Sequence, residues 1–85
     1  MSRDTHRLSL DQPASYRIVV VGHLSGKRAA WFEDFSLANE YDEEGIPITV
    51  MTGEVLDQAM LHGLLIKVRD LGLPLLAVNR VLHDA

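Results

Sequence analysis

One predicted helix is delimited at both ends by the sequence itself, and it limits the folds that the chain can adopt. Asp57 is a good N-cap, because its carboxylate can accept hydrogen bonds from the free amides of a first helical turn. Gly72 can take the left-handed conformation that ends a helix, and Pro74 prevents continuation. The pattern predicts a helix over residues 58–71. Its buried side carries apolar residues at helical spacing: Leu61, Leu64, Leu65, Val68 and Leu71.

Four segments outside this helix have strand character. Apolar and β-branched runs predict strands at residues 16–21, 46–51 and 75–82, and alternation predicts another at 34–40. The third strand, the helix and the last strand form a β-α-β unit, whose two strands should run parallel. Pro47 predicts that the third strand lies at a sheet edge or pairs only beyond this residue.

These elements predict an α+β fold in a chain of 85 residues, which is the size of one domain. We expect a four-stranded sheet with one principal helix on one face, in the order β-β-β-α-β. The alternative is a ferredoxin-like β-α-β-β-α-β arrangement with a vestigial first helix at residues 27–33. Residues 1–15 are interpreted as a flexible N-terminal tail and residues 16–85 as a single α+β domain.

The composition excludes several classes of function. Twelve acidic and eight basic residues give a formal net charge of −4, which disfavours nucleic-acid binding because phosphates require clustered Lys and Arg. The chain has no cysteine, so disulfides, zinc ribbons and thiol nucleophiles are excluded. No segment approaches the ~18 apolar residues of a membrane span. We therefore expect a cytoplasmic protein without a membrane or nucleic-acid partner and without a cofactor.

The segment from Gly53 to Leu76 resembles a group of small uncharacterised bacterial proteins. The similarity rests on the runs Asp57-Gln58-Ala59, Leu61-His62-Gly63-Leu64-Leu65 and Arg69-Asp70-Leu71-Gly72-Leu73-Pro74-Leu75-Leu76, with an earlier Gly22-His23-Leu24 and a Trp31-Phe32 pair. It covers about residues 16–81. Glu54 stands where such proteins often have proline. The resemblance supports the element boundaries and implies no activity, substrate or cofactor.

Three residues are candidates for ligand binding: His23, Trp31 and His62. The segment 22–28 does not fit a phosphate loop, because only three residues separate its glycines and Arg28 follows the lysine. His23 and His62 could form a metal site only if the fold brought them together, and His62 alone lacks the convergent ligands that zinc needs. The sequence therefore identifies no catalytic residue and no metal site.

Surplus apolar surface on the helix points instead to self-association. Ala59, Gly63 and Ile66 lie on a second face of the helix, away from its leucine side, and small residues there would let another element approach closely. A folded part of about 70 residues has a marginal core, which oligomerisation often stabilises. We expect a homodimer that acts as a non-enzymatic interaction or regulatory module, with a further protein partner possible. The alternative is a small-molecule- or metal-binding protein, or a simple enzyme, with a site near His23, Trp31 and His62 at a subunit interface.

Overall fold

The computed structural model describes residues 13–81, which form a four-stranded antiparallel sheet and two helices. In chain order the elements are β1 (Ala14–Val21), α1 (Gly26–Ala30), β2 (Ser36–Tyr41), β3 (Pro47–Val55), α2 (Gln58–Asp70) and β4 (Leu75–Val81). The α+β prediction is confirmed, and of the two orders that the sequence left open the structure has β-α-β-β-α-β with a short first helix. Residues 1–12 of the predicted tail and residues 82–85 lie outside the described residues.

The strand order is β2-β3-β1-β4, so β1 is an interior strand. Both β3 and β4 pair antiparallel with β1, and they therefore run parallel to each other, as the β-α-β prediction requires. Of the two possibilities that Pro47 predicts, an edge position for β3 is wrong, because β3 pairs with β2 as well as with β1; its pairing with β1 does begin beyond Pro47, at Ile48. Pro47 is tolerated because it is the first residue of β3 and contributes only its carbonyl, which accepts a 2.8 Å hydrogen bond from Gly22 N.

The two faces of the sheet carry separate apolar clusters. On the helix side, residues of β1 and β3 such as Ile18 and Met51 pack with the three buried residues of α2, which are Leu61, Leu64 and Val68. On the opposite face, Val19, Ile48 and Val50 pack with Ala77 and are only 6–8% exposed. No residue of α1 or α2 belongs to this second cluster. The alternation of apolar residues in β1 therefore supplies both faces, as its sequence indicates.

The ends of α2 follow the chemistry that the sequence predicts. The Asp57 carboxylate accepts a 2.9 Å hydrogen bond from Met60 N at the first turn. At the other end Gly72 has φ of +73°, and its amide bonds to Arg69 O at 2.9 Å. Leu73 N bonds to Val68 O at 3.1 Å, which completes a Schellman motif. The observed helix, Gln58–Asp70, ends one residue before the predicted boundary.

The first helix is too short to cover its half of the sheet. Helix α1 has five residues and buries none of them, so the core on this side is completed by Phe32 and Phe35 from the turn that follows. The Phe35 ring lies against Gly53 of β3, where a Cβ atom would come within 2.7 Å of Phe35 Cδ2. This aromatic packing replaces the missing helical turns and leaves a groove between the turn and α2.

Candidate functional site

The groove beside α2 is the candidate site of this protein, and we call it the Trp31 groove. It has a volume of about 250 Å³ and lies between residues 31–35 and one side of α2. Its lining combines buried aromatic and aliphatic side chains with two charged ones: Trp31, Phe32, Asp34, Phe35, Met60, Gly63, Leu64 and Lys67. Phe32, Phe35 and Leu64 also belong to the core, so the groove has a rigid apolar floor.

Gly63 and Trp31 determine how open the groove is. A Cβ atom at Gly63 would meet nothing within 4 Å, so this position of α2 leaves open space where most residues would place a side chain. Trp31 is 48% exposed and forms one wall. It is the only tryptophan in the chain. A half-exposed indole beside an apolar floor can contact a ligand and still remain in contact with the core.

Two opposite charges line the Trp31 groove. The Lys67 ammonium donates a 3.1 Å hydrogen bond to the backbone carbonyl of Trp31, which ties the turn after α1 to α2. Lys67 has further donor hydrogens for another acceptor. Within residues 13–81 the Asp34 carboxylate has neither a hydrogen-bond nor an ion-pair partner, and no ion pair joins it to Lys67. The groove therefore presents one cationic and one anionic group that remain separate.

His23 has a place in a different part of the molecule. Its Nε2 atom donates a 2.8 Å hydrogen bond to the carbonyl of Glu40, and its ring meets Tyr41 edge-on with centroids 4.9 Å apart. The adjacent loop is held by Thr49, which is fully buried and whose hydroxyl bonds to Gly22 O at 2.6 Å. Asn39 holds Leu24 in the same loop: its Oδ1 atom accepts a hydrogen bond from Leu24 N, and its Nδ2 atom donates one to Leu24 O. These contacts attach the end of β1 to β2 and β3.

His62 is exposed and lies neither in the Trp31 groove nor on the loop at residues 22–25, which we call the His23 loop. It lines a shallow surface groove with Leu65, Ile66 and Arg69. The His23 loop begins at Gly22, beside Leu73, just beyond the C-terminal end of α2. His62 lies eight residues before the last residue of α2, a separation of about 12 Å along the helix axis. Within one chain the structure therefore does not bring His23, Trp31 and His62 together.

The residues predicted for self-association share one side of α2, which we call the α2 stripe: Ala59, Gly63 and Ile66. They lie opposite the buried residues of the helix, and all three are exposed. Ile66 is 47% exposed although it is a large β-branched apolar residue. Gly63 belongs to both the α2 stripe and the Trp31 groove, so the two surfaces adjoin.

Sequence reasoning missed the charged residues of the groove. Lys67 follows Gly63 by four positions and therefore lies next to it on the helix surface, which is a detectable signal. Asp34 stands between Phe32 and Phe35, and a charge between two aromatic residues is a weaker signal. Neither spacing shows that the two segments meet, because their contact depends on the packing of the turn against α2.

The described residues limit other kinds of site. Within residues 13–81 no three His, Cys, Asp or Glu side chains lie close enough to hold a metal ion. Over the same range, neither helix has the length and apolar character needed to cross a membrane.

Comparison with known proteins identifies a family whose description gives no function. A family model described as a domain of unknown function, DUF8691, matches residues 15–79. The matched range extends from β1 to β4, and it includes the Trp31 groove and the α2 stripe. No curated protein and no solved structure matches the chain.

Proposed function

We propose, for a chain that belongs to the DUF8691 family of domains of unknown function, that the protein is a non-enzymatic interaction module that acts as a homodimer. The observation that carries this proposal is the α2 stripe. Ala59, Gly63 and Ile66 place small and apolar side chains on the helix side that faces away from the core. Exposed positions of a helix are ordinarily polar, so an apolar stripe there favours a protein contact.

The geometry of the stripe suits a second copy of the same helix. Helices pack with axes 8–10 Å apart, and small residues at the crossing point give the closest approach. Gly63 supplies such a point, and Ile66 projects from the same side one turn away. With a two-fold axis midway between Gly63 and Ile66, the Ile66 side chain of each copy would enter the space that Gly63 leaves in the other.

The role that follows from this dimer is to bring two copies of the domain together. We extend the proposal to the regulation of a further protein partner by the dimer. We place the protein in the cytoplasm, which agrees with its lack of cysteine. The resemblance of its helix and last strand to small bacterial proteins supports a bacterial origin. Within one chain His23, Trp31 and His62 occupy three places, so the alternative site made of all three would require a second subunit.

Sedimentation equilibrium of the full chain at micromolar concentration tests the proposal. The expected mass is twice that of one chain, and Ile66→Lys is expected to give the mass of one chain because it places a charge in the apolar contact at Gly63 of the other copy. Leu76→Lys is the matched control, since Leu76 is a similarly exposed apolar residue on β4, at 55%. A wild-type protein with the mass of one chain would contradict the proposal. So would a dimer that Leu76→Lys disrupts and Ile66→Lys leaves intact.

A further inference from the structure

We propose that the Trp31 groove binds a free α-amino acid with an apolar or aromatic side chain. The first argument is size. Its volume of about 250 Å³ lies below the ~300–1,000 Å³ of the sites that hold drug-sized ligands, so the groove suits a single small metabolite.

The second argument is the apolar character of the floor. Phe32, Phe35 and Leu64 are all buried core residues, and Met60 lies beside them at the groove. An apolar ligand side chain placed there would remove the exposed part of Trp31 from water. Methionine and tryptophan adapt to ligands of slightly different shape, so the groove fits a class of side chains more than one compound.

The third argument is the separation of the two charges, which selects the ligand class. A simple anion would pair with Lys67 and be repelled by Asp34, and a simple cation would face the opposite conflict. An uncharged apolar ligand would use neither group. A zwitterion uses both, with its carboxylate accepting from the Lys67 ammonium and its own ammonium donating to the Asp34 carboxylate. An amino acid carries these two charges next to one side chain, which would lie on the apolar floor.

The groove is complete within one chain, so this inference does not depend on the homodimer. All of its lining residues come from residues 31–35 and from α2 of the same molecule. Because Gly63 lines both the groove and the α2 stripe, Ile66 of a second copy placed at Gly63 would compete with a ligand for part of the groove. Ile66→Lys is therefore expected to bind at least as tightly as the wild type, and its binding tests this proposal separately from the dimer.

The fluorescence of Trp31 provides the assay, because no other tryptophan contributes to the signal. The full chain is titrated with L-leucine, L-methionine and L-phenylalanine, and the affinities are measured independently by calorimetry. We expect a saturable fluorescence change. Leucinamide lacks the carboxylate and N-acetyl-leucine lacks the ammonium, so each should bind at least about tenfold more weakly than leucine, as for loss of one charge-assisted hydrogen bond.

Paired variants identify the groups that recognise the ligand. Lys67→Met should remove the preference for leucine over leucinamide, while Arg69→Met, on the same helix but outside the groove, should keep it. Asp34→Asn should remove the preference for leucine over N-acetyl-leucine, while Glu33→Gln should keep it. Lys67→Arg retains the positive charge but changes the group that bonds to the Trp31 carbonyl. We expect it to bind leucine. The weak binding of Lys67→Met is then due to the lost charge and not to the lost hydrogen bond to Trp31.

Three results would overturn the proposal. One is the absence of saturable binding by any of the amino acids. The second is equal binding of leucine, leucinamide and N-acetyl-leucine, which would show that the protein does not recognise the carboxylate and the ammonium of the ligand. The third is binding that Lys67→Met and Asp34→Asn leave unchanged, which would place the ligand elsewhere on the protein.

Discussion

Replacing Gly53 by alanine is expected to destabilise the protein, although alanine is the better residue inside a strand. The new Cβ atom would lie 2.7 Å from Cδ2 and 3.0 Å from Cγ of Phe35, so the ring has to move. Relief of the glycine's conformational entropy would stabilise the strand by about 0.5–1 kcal/mol. Overpacking a core contact costs roughly 1–3 kcal/mol. The net expectation is a loss of about 1 kcal/mol of unfolding free energy.

Urea denaturation followed by the fluorescence of Trp31 measures this change. The comparison is made in the Ile66→Lys background, so that dissociation of a dimer does not add to the measured free energy. For a domain of this size a loss of about 1 kcal/mol should lower Tm by about 4–8 °C. Thermal unfolding therefore provides an independent check of the same variant.

Gly63→Ala is the matched control, because it makes the same chemical change at an open position. Nothing lies within 4 Å of a Cβ atom at Gly63, and alanine is favoured over glycine in a helix by about 1 kcal/mol. The two substitutions should therefore have opposite signs. In a Phe35→Ala background, Gly53→Ala should become neutral or stabilising, since alanine at position 35 lacks the Cγ, Cδ2 and Cε2 atoms that the new Cβ atom would meet. An equal cost of Gly53→Ala in both backgrounds would refute the reasoning.

Two further substitutions test the contacts at the C-terminal end of α2 and at the end of β1. Gly72→Ala should lower the unfolding free energy by about 1 kcal/mol, because φ of +73° is strained for alanine, and Gly72→Asn should cost less; denaturation of both variants checks this. Thr49→Val should cost about 1–3 kcal/mol, because Gly22 O and Leu24 N lose a buried partner, whereas Thr49→Ser should retain most of the stability. A Thr49→Val protein as stable as the wild type would contradict that role.

The elements that the sequence predicts well are those whose ends depend on neighbouring residues. The boundaries of α2 follow from Asp57 and Gly72, which bond to backbone groups three residues away. The position of Pro47 shows the limit of this reasoning. A proline indicates a missing amide donor, and only the paired strands show that no donor is needed at the first residue of β3.

The candidate site was only partly visible in the sequence. Trp31 and Gly63 were predicted for different roles, and the structure places both in one groove. The sequence does not identify Asp34 and Lys67, because an isolated charge in a sequence is indistinguishable from an ordinary solvated residue. Both line the groove because α1 is short and the turn after it packs directly on α2.

The sequence by itself determined the strands, the principal helix and the apolar character of both faces of β1, because propensity, alternation and capping act over a few residues. Only the tertiary structure decided the strand order, the attachment of His23 to Glu40 and the joining of residues 31–35 with α2. His23 with Glu40 and Trp31 with Lys67 are contacts between residues 17 and 36 positions apart, and the place of β1 between β3 and β4 depends on strand pairs at least 27 positions apart. No local pattern encodes such pairings, because they arise from how the whole chain fills its core.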